Sequence, residues 1–411
     1  MKPPRGKLLR AALVALLFGL SGPSVMGQAP QAGASSAACN AAAEKPVSYV
    51  SLPGHPFGIA VSNDGCRVFV AVSRESNGIA VLQREGGKMK VERVIGVSGM
   101  PTEIVLTHDN KLLIVADGDG VTFLDVERMS QGSRDAVLGR IRDQEGDATI
   151  NVNVTADDKF LFVSNERAAS ITVIDLAKAR AEGFERNAIV GRVPVGLAPI
   201  ALVFSPDEKL LYTTSEVGPR GLGWPAMCQP EGRAGRGGEH PQGAVFVVDV
   251  AKAETRPAQA VVGVVNAGCS PVRLALSPGG DFLYVTARNS NAMLGFSAAK
   301  IMNDAQHALV GEVPVGAAPV PVMITADGSK ILIGNTNRFA ARPGDHQDIT
   351  VIDAARVGEG KAAVLGKIPA QGFPRKFAVS TDTRTIFLSN FTSDSLEVID
   401  AERISTVIGK K

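Results

Sequence analysis

The chain lacks most of the local patterns by which an enzyme or a cofactor protein is found in sequence. Its 411 residues contain no Gly-x-Ser-x-Gly turn, no Walker-type phosphate loop and no Cys-x-x-Cys-His haem attachment. No His-x-x-x-His or Cys-x-x-Cys pair occurs, and the five histidines follow no metal-ligand spacing. The reaction classes that depend on such motifs are therefore excluded, and we expect neither a metal nor a cofactor.

An excess of charge of one sign is also missing, since 43 Lys and Arg stand against 41 Asp and Glu. Four of the basic residues lie within residues 1–10, before an apolar run over 11–20 and small residues that reach Ala29. This order is typical of a secretory signal peptide over residues 1–29, and a flexible leader follows over 30–45. Removing the signal peptide leaves 39 basic residues against 41 acidic ones. No basic stripe with interleaved aromatics appears, so nucleic acid is not an expected partner.

Long hydrophobic runs are scarce. The run over residues 11–20 is too short to cross a bilayer, and no other segment is long and apolar enough to do so. No cysteine directly follows that run, which argues against a lipid anchor. We predict an exported protein, periplasmic or extracellular, without a membrane span.

One sequence repeat occurs seven times between Pro46 and Lys411. Each repeat starts on a Pro or Thr, called the opening residue below, reaches a Ser or Thr six positions later, and has Asp or once Gly two positions further on. The seven sets are Pro56, Ser62 and Asp64; Pro101, Thr107 and Asp109; Thr149, Thr155 and Asp157; Pro199, Ser205 and Asp207; Pro271, Ser277 and Gly279; Pro319, Thr325 and Asp327; Pro374, Ser380 and Asp382. Ser/Thr-x-Asp between two apolar runs suits a type I turn, so each repeat begins with a β-hairpin.

Two further apolar runs complete each repeat. The third often closes on Asp, as in Val173–Asp175, and the fourth leads to the next opening residue, as in Ala188–Val193. Four strands per repeat and seven repeats predict an all-β fold, a seven-bladed β-propeller with four antiparallel strands in each blade. Residues 46–411 then form one domain, with insertions over 216–243 in blade 4 and 336–348 in blade 6. Its closed ring needs no partner for stability, so we expect a monomer.

Either end of the chain could close the ring. Residues 46–52 align with the fourth-strand position and would complete blade 7 from the N-terminal side. Residues 406–410 resemble the same strand, and both segments cannot occupy one position. We favour closure by the N-terminal strand, because it ties the two chain ends together.

The repeat resembles that of the YVTN-repeat propellers, a family that includes lactonase-like and YncE-like proteins. The match is best at residues 56–65, 199–208 and 284–286, and it covers nearly all of the chain after the signal peptide. The resemblance implies the propeller fold but no single activity, because family members include binding modules, lactone-active enzymes and redox subunits. Quinone-cofactor propellers have a different, tryptophan-rich repeat, whereas this chain has only Trp224.

Four cysteines in an exported chain suggest disulfides, and the predicted blades suggest the pairing. Cys39 precedes the closing strand and Cys66 lies in the first turn of blade 1, so both fall on one face near the seam. Cys228, in the blade 4 insertion, and Cys269, before blade 5, fall on the opposite face. We predict Cys39–Cys66 and Cys228–Cys269. Unpaired buried thiols are the alternative.

The loops between fourth and first strands and those between second and third strands open at one end of the central channel, called the mouth below. Two positions after the opening residue the chain has Gly58, Glu103, Asn151, Ala201, Arg273, Pro321 and Lys376. The neighbours His55, Asp147 and Arg375 add an imidazole and two charges. We predict a ligand-binding pocket formed by His55, Glu103, Asp147, Asn151, Arg273, Arg375 and Lys376. The alternative is that these residues only pair with one another.

The two insertions decorate the same face. They carry Trp224 and His240 in blade 4, and Arg338 and His346 in blade 6. Long loops on a rigid ring are frequent carriers of function, although surface loops also tolerate insertion without any function. His55, His240 and His346 share the face, but nothing in their spacing indicates a metal site.

Two functions fit the sequence. The first is an exported binding module for a protein, a glycan or a small molecule, which uses the mouth and the insertions. The second, implied by the resemblance, is a lactonase-like hydrolase, with His55 or Glu103 as general base and Arg273 holding a carboxylate or the oxyanion. We rank binding first, because no reaction motif is present and export argues against a phosphorylated cytosolic lactone.

Overall fold

The computed structural model describes residues 39, 44–75, 77–85, 87–143, 148–219, 222, 227–228, 240–338 and 347–409, with the backbone alone for Met227, His240 and Pro241. The predicted signal peptide lies outside these residues. Among them no helix is both long and apolar enough to pass through a membrane.

Seven four-stranded antiparallel sheets form a ring, as predicted. Strand β1 (Val47–Ser51) comes first in the chain. Blades 1 to 3 consist of β2 (His55–Val61), β3 (Arg67–Ser73), β4 (Gly78–Glu85) and β5 (Lys88–Gly96); β6 (Ile104–Leu106), β7 (Leu112–Ala116), β8 (Gly120–Asp125) and β9 (Val137–Arg142); β10 (Thr149–Val154), β11 (Phe160–Asn165), β12 (Ser170–Asp175) and β13 (Ile189–Pro194).

Blade 4 differs from the others because its first strand is split and an insertion follows its second strand. It consists of β14 (Leu197–Pro199), β15 (Val203–Phe204), β16 (Leu210–Val217), β19 (Ala244–Asp249) and β20 (Val261–Asn266), and the insertion forms a separate pair, β17 (Met227–Cys228) with β18 (His240–Pro241). Blades 5 to 7 consist of β21 (Pro271–Leu276), β22 (Phe282–Ala287), β23 (Ala292–Ser297) and β24 (Leu309–Pro314); β25 (Pro319–Ile324), β26 (Lys330–Asn335), β27 (Asp348–Asp353) and β28 (Val364–Pro369); β29 (Pro374–Val379), β30 (Thr385–Asn390) and β31 (Ser395–Asp400) with β1.

Short helices or 3₁₀ segments follow the third strands of blades 2 to 7, and the 3₁₀ segments Arg288–Ser290 and Phe391–Ser393 follow second strands. The helices are α1 (Val126–Gln131), α2 (Leu176–Ala181), α3 (Val250–Thr255), α4 (Ala298–Asn303) and α5 (Ile404–Val407), with 3₁₀ segments at Arg134–Ala136, Arg186–Ala188, Pro257–Gln259, Arg288–Ser290, Ala305–His307, Ala354–Ala363, Phe391–Ser393 and Ala401–Arg403. The Asp that ends a third strand caps the helix after it. The side chain of Asp175, for example, accepts a hydrogen bond from the backbone N–H of Lys178. The recurring terminal Asp therefore has a local cause, because a carboxylate satisfies the free amides of the first turn.

The Ser/Thr-x-Asp turns are built identically in six blades. The hydroxyl donates to the Asp carboxylate at 2.5–2.7 Å. The same carboxylate accepts the backbone N–H two residues further on. In blade 5, where Gly279 replaces the Asp, Ser277 still accepts the N–H of Phe282. The repeated residues thus fix the hairpin turns through local side-chain to backbone hydrogen bonds.

Buried hydroxyl groups join neighbouring blades. Each hydroxyl belongs to the second strand of one blade and donates to a backbone carbonyl in the first strand segment of the next blade. The acceptor is the residue directly after the opening residue, and the distances are 2.7–3.1 Å. The pairs are Ser164 to Ile200, Thr214 to Val272, Thr286 to Val320 and Ser389 to Phe57. These bonds hold the first strand of one blade against the second strand of the blade before it. Apolar side chains of adjacent blades fill the layers between the sheets.

The N-terminal strand closes the ring, as predicted. Strand β1 pairs antiparallel with β31, from Val47 opposite Ile399 to Ser51 opposite Ser395. The alternative, closure by residues 406–410, is wrong. Ile404–Val407 is helical, and Gly409 instead forms an isolated bridge with Lys367 at the edge of blade 6.

Both disulfides have the predicted pairing. Cys39–Cys66 attaches the segment before β1 to the first turn of blade 1, and Cys228–Cys269 attaches the β17–β18 pair to the loop before blade 5. Two disulfides and no free cysteine among the described residues indicate an oxidising environment.

Candidate functional site

A cavity of about 230 Å³ lies at the mouth of the central channel. First strands enter the ring at this end, and the loops after second strands surround it. The cavity is lined by Phe57, Ile150, Glu166, Ile200, Glu216, Val272, Arg273, Arg288, Val320, Arg338 and Arg375. Most of these side chains come from three repeated positions of the blade.

An apolar collar surrounds the cavity. It consists of Ile150, Ile200, Val272 and Val320, each one residue after the opening residue of its blade. The last three are buried and pack together with Phe373. Blades 1 and 7 have Phe57 and Arg375 at the same position. Blade 2 has Thr102 there, so Arg375 is the one charged residue among the seven at this position.

Charged side chains form a rim above the collar. Glu166 and Arg288 directly follow the second strands of blades 3 and 5, Glu216 lies near the end of β16, and Arg338 follows β26. Arg288 is buried, and its Nη2 lies 2.9 Å from both carboxylate oxygens of Glu216. This charge-assisted contact orients one arginine of the rim.

A left-handed backbone residue precedes the opening residue in five blades. These residues are Ala148, Ala198, Ser270, Ala318 and Phe373, with φ between 50° and 58°. Their carbonyls, in four of the blades, accept the N–H of the residue after the second strand, in the pairs Ala148 with Glu166, Ser270 with Arg288, Ala318 with Thr336 and Phe373 with Phe391. Non-glycine residues seldom adopt this conformation, which costs of order 1 kcal/mol each. The strained turn positions the rim residues above the collar.

Arg375 is a cation among aromatic rings. Its guanidinium carbon lies 4.0 Å from the ring centre of Phe57, 5.2 Å from that of Phe373 and 5.4 Å from that of Phe391. Its Nε is buried without a hydrogen-bond partner, and within the described part of the chain no carboxylate lies at ion-pair distance. Ring faces attract the charge but accept no strong hydrogen bond. Arg375 therefore has unused donors at the cavity wall.

The surroundings of Arg375 disfavour its charged form. Burial is the main cause, followed by repulsion from Arg273, Arg338 and Arg288, and together they lower the pKa of Arg375 from 12.5 to about 9. Glu166 opposes this shift. At neutral pH the side chain is still a cation, so an anion in the cavity would relieve both the desolvation and the repulsion.

A buried charge cluster lies below the collar. Glu103 Oε2 is 3.1 Å from Arg273 Nη1 and 3.1 Å from Lys376 Nζ, and Glu103 and Arg273 are 2% and 7% exposed. Burial, more than any other cause, lowers the pKa of Lys376, while Glu103 opposes that shift. Arg273 and Lys376 also line a smaller chamber of about 60 Å³, together with Asn151. One carboxylate thus serves two cations.

The structure brings together five of the residues expected at the mouth. Arg273 and Arg375 line the cavity, and Glu103, Asn151 and Lys376 lie at the charge cluster or its chamber.

His55 has another position, at the seam between blades 7 and 1. Its Nδ1 is 2.6 Å from Asp394 Oδ1, and its ring stacks on Phe391 at 4.8 Å. Arg74 holds the other oxygen of Asp394 at 2.5 Å. His55 is not a lining residue of the cavity. It supports Phe391, one of the rings against which Arg375 lies.

The insertion residues are only partly described. Arg338 lines the cavity and lies over the ring of Phe373 at 5.6 Å. The backbone of His240 pairs with Cys228. Asp147, Trp224 and His346 lie outside the described residues.

Sequence reasoning missed Glu166, Glu216 and Arg288. A signal was present, because in three successive blades a charge lies at the end of the second strand or directly after it, and those strand ends face the mouth. Within the described residues, no group of three or more His, Cys, Asp or Glu side chains is arranged to hold a metal. The lining instead combines four arginines with two carboxylates, which is suited to binding an anion.

Comparison with solved structures shows how widely this architecture occurs. A chain from Kuenenia stuttgartiensis hydrazine synthase superposes with a TM-score of 0.63 and 18% identity, covering 86% of this chain and 97% of its own length. A chain from the mitotic checkpoint complex gives a TM-score of 0.62 and 15% identity, covering 95% and 99%. No family model and no curated protein matches the chain. At these identities the likeness concerns the propeller fold, a frequent interaction scaffold, and the resemblance to YVTN repeats stays a prediction.

Proposed function

We propose that this protein is an exported binding module and that its channel mouth binds a small anionic ligand. The proposal depends chiefly on Arg375, a half-buried cation at the wall of a cavity, whose buried Nε has no hydrogen-bond partner and which has no carboxylate at ion-pair distance within the described residues. A partly desolvated charge without a counter-charge lowers the stability of a protein, so a site that keeps one has a use for it. Binding of an anion is the simplest such use.

The dimensions of the site support a small molecule. The cavity is concave, about 230 Å³ in volume, and six charged side chains converge on it beside five apolar ones. A protein or a glycan would contact the rim and the insertions, where Met100 and Leu197 are half exposed near the mouth. Neither partner would use the donors of Arg375 unless it inserted a carboxylate.

The lactonase alternative has weaker support. It needs a base that reaches a water molecule, but both oxygens of Glu103 are buried and one is shared by Arg273 and Lys376. The other candidate base, His55, is bound to Asp394 at the seam. We therefore rank anion binding above hydrolysis.

Isothermal titration calorimetry on the mature protein tests the proposal, with a panel of carboxylates, phosphate and sulfate at fixed ionic strength. We expect at least one anion to bind and Arg375→Gln to weaken it roughly 10- to 100-fold, the worth of a hydrogen bond between charged groups. Arg356→Gln is the matched control, because Arg356 lies on the outer surface beside Glu359. Absence of binding across the panel, or equal binding by both variants, would contradict the proposal.

Lactone turnover measured on the same samples tests the alternative. Hydrolysis by the wild-type protein that disappears in both Glu103→Gln and Arg273→Ala, with the fold retained, would favour the lactonase function over anion binding.

A further inference from the structure

Among the residues that the structure describes, the charges around the mouth do not cancel. Arg288 is matched by Glu216, and Arg338 and Glu166 add one charge of each sign to the rim. Two positive charges are left over within this described set. One is Arg375, and the other belongs to Arg273 and Lys376, which share the single carboxylate of Glu103. A monoanion would neutralise only half of this excess.

The two centres of excess charge lie at different depths. Arg375 lies at the level of the collar, whereas Arg273 lines both the mouth cavity and the deeper chamber, where Lys376 is also found. Arg273 and Arg375 both lie near the face of Phe57, at 6.0 and 4.0 Å from its ring centre. A ligand that satisfies both centres therefore needs two anionic groups, or one group large enough to touch both.

The apolar collar favours two anionic groups on a carbon skeleton over one large inorganic anion. Ile150, Ile200, Val272 and Val320 place aliphatic carbon around the space between the rim and the charge cluster. A compact inorganic dianion would lose water against these side chains without a compensating contact. A carbon skeleton would bury apolar surface there, worth about 25 cal/mol per Å².

We propose that the ligand of the mouth is an organic dicarboxylate with a short aliphatic skeleton, an inference that rests on the proposed anion-binding function. One carboxylate accepts hydrogen bonds from Arg375, and the other is attracted to Arg273 and Lys376. The skeleton lies against the collar. Planar guanidinium groups suit carboxylates because two parallel N–H donors match the two oxygens.

The experiment compares ligands of one skeleton that differ in charge. Calorimetry at pH 7.5, where both carboxyl groups are ionised, is carried out with glutarate and adipate, with pentanoate and hexanoate, and with sulfate and a phosphomonoester. We expect each dicarboxylate to bind at least about tenfold more tightly than the monocarboxylate of equal length, the worth of one charged hydrogen bond.

The other possible results distinguish failure of the dicarboxylate inference from failure of anion binding. Equal affinity for mono- and dicarboxylates would overturn the dicarboxylate inference and leave anion binding intact. Stronger binding of sulfate or the phosphomonoester would overturn the inference in the same way. Failure of every anion to bind would overturn both proposals.

Variants separate a specific site from general attraction. In Arg375→Gln the preference for dicarboxylate over monocarboxylate should fall towards one, whereas Arg356→Gln should keep it. Arg375→Lys retains the charge and serves if the glutamine variant fails to fold. It should keep the preference while both affinities fall, because lysine lacks the planar pair of donors. A preference unchanged in Arg375→Gln would overturn the inference.

Discussion

The guanidinium carbon of Arg375 lies 4.0 Å from the ring centre of Phe57, and this contact crosses the seam at which the ring closes. Arg375 belongs to blade 7 and Phe57 to blade 1, the last and the first blades of the chain. Next to them, Ser389 donates a hydrogen bond to the carbonyl of Phe57 at 2.7 Å. The proposed anchor of the ligand is therefore assembled only when the propeller is complete.

Replacing Arg375 should weaken ligand binding but stabilise the ligand-free protein. In Arg375→Met we expect the free energy of unfolding of the ligand-free protein to rise by about 1 kcal/mol, because a partly desolvated, unpaired cation is removed while the packing on Phe57 is kept. Urea unfolding of the two proteins measures this. A clear loss of stability would mean that the contacts with the rings outweigh the cost of burying the charge.

Replacing Glu103 should lower the stability of the protein. Glu103→Gln leaves the buried Arg273 and the half-buried Lys376 without a counter-charge. We expect a loss of about 2–4 kcal/mol, moderated because Lys376 is partly exposed and can release its proton. Adding Lys376→Met to this variant should recover part of the loss, which a double-mutant cycle resolves. The exposed Glu359→Gln is the control and should not change stability measurably. Equal stability of Glu103→Gln and wild type would refute the ion-pair cluster.

The seam itself can be tested at Ser389. Ser389→Ala removes a buried hydroxyl that joins blades 7 and 1 and leaves a carbonyl of Phe57 without this donor. We expect a loss of about 1–2 kcal/mol in urea unfolding. The control Ser329→Ala, which breaks only turn contacts with Asp327 and Lys330, should cost much less. Similar effects of both changes would argue against a special role of the seam.

Glu397 should make stability depend on pH. This carboxyl group is fully buried in β31, and burial raises its pKa from 4.5 to about 7, although the hydrogen bond from Asn390 opposes the shift. The folded state thus keeps its proton between pH 4.5 and 7 while the unfolded state loses it. The contribution to stability is complete below pH 4.5 and is lost as the pH rises to about 7, by at most about 3 kcal/mol.

Urea unfolding at pH 5 and pH 8 measures this dependence. At pH 8 the Glu397→Gln variant should be more stable than wild type, because the amide stays neutral where the carboxyl group is ionised. At pH 5 the two proteins should differ little in stability. The exposed Glu402→Gln, at the Arg384 contact, is the control. An identical pH dependence in Glu397→Gln and wild type would assign it to other groups.

The seven-fold register made the fold predictable. Ser62 and Asp64, or Thr107 and Asp109, stand at fixed positions because the hairpin turn requires their hydrogen bonds. The pairing of the cysteines followed from the same register. Strand breaks such as that between β14 and β15 did not, because they depend on packing inside the channel rather than on local sequence.

The candidate site was only partly predictable. Glu103, Arg273 and Lys376 share one position of the repeat, so their meeting in the channel follows from the ring alone. Glu166 and Arg288 reach the mouth because Ala148 and Ser270 adopt a left-handed backbone conformation, which neither residue type signals. Likewise, the contact of His55 with Asp394 joins residues from opposite ends of the chain, and no local pattern announces it.

A crystal structure of the mature protein with bromosuccinate tests the central claim most directly, because the bromine marks a small dicarboxylate by its anomalous signal. We predict an anomalous peak within the mouth cavity and a carboxylate within hydrogen-bond distance of Arg375. A cavity that holds only water at saturating ligand, or an Arg375 bound to a carboxylate of the protein itself, would rule out the proposed dicarboxylate site.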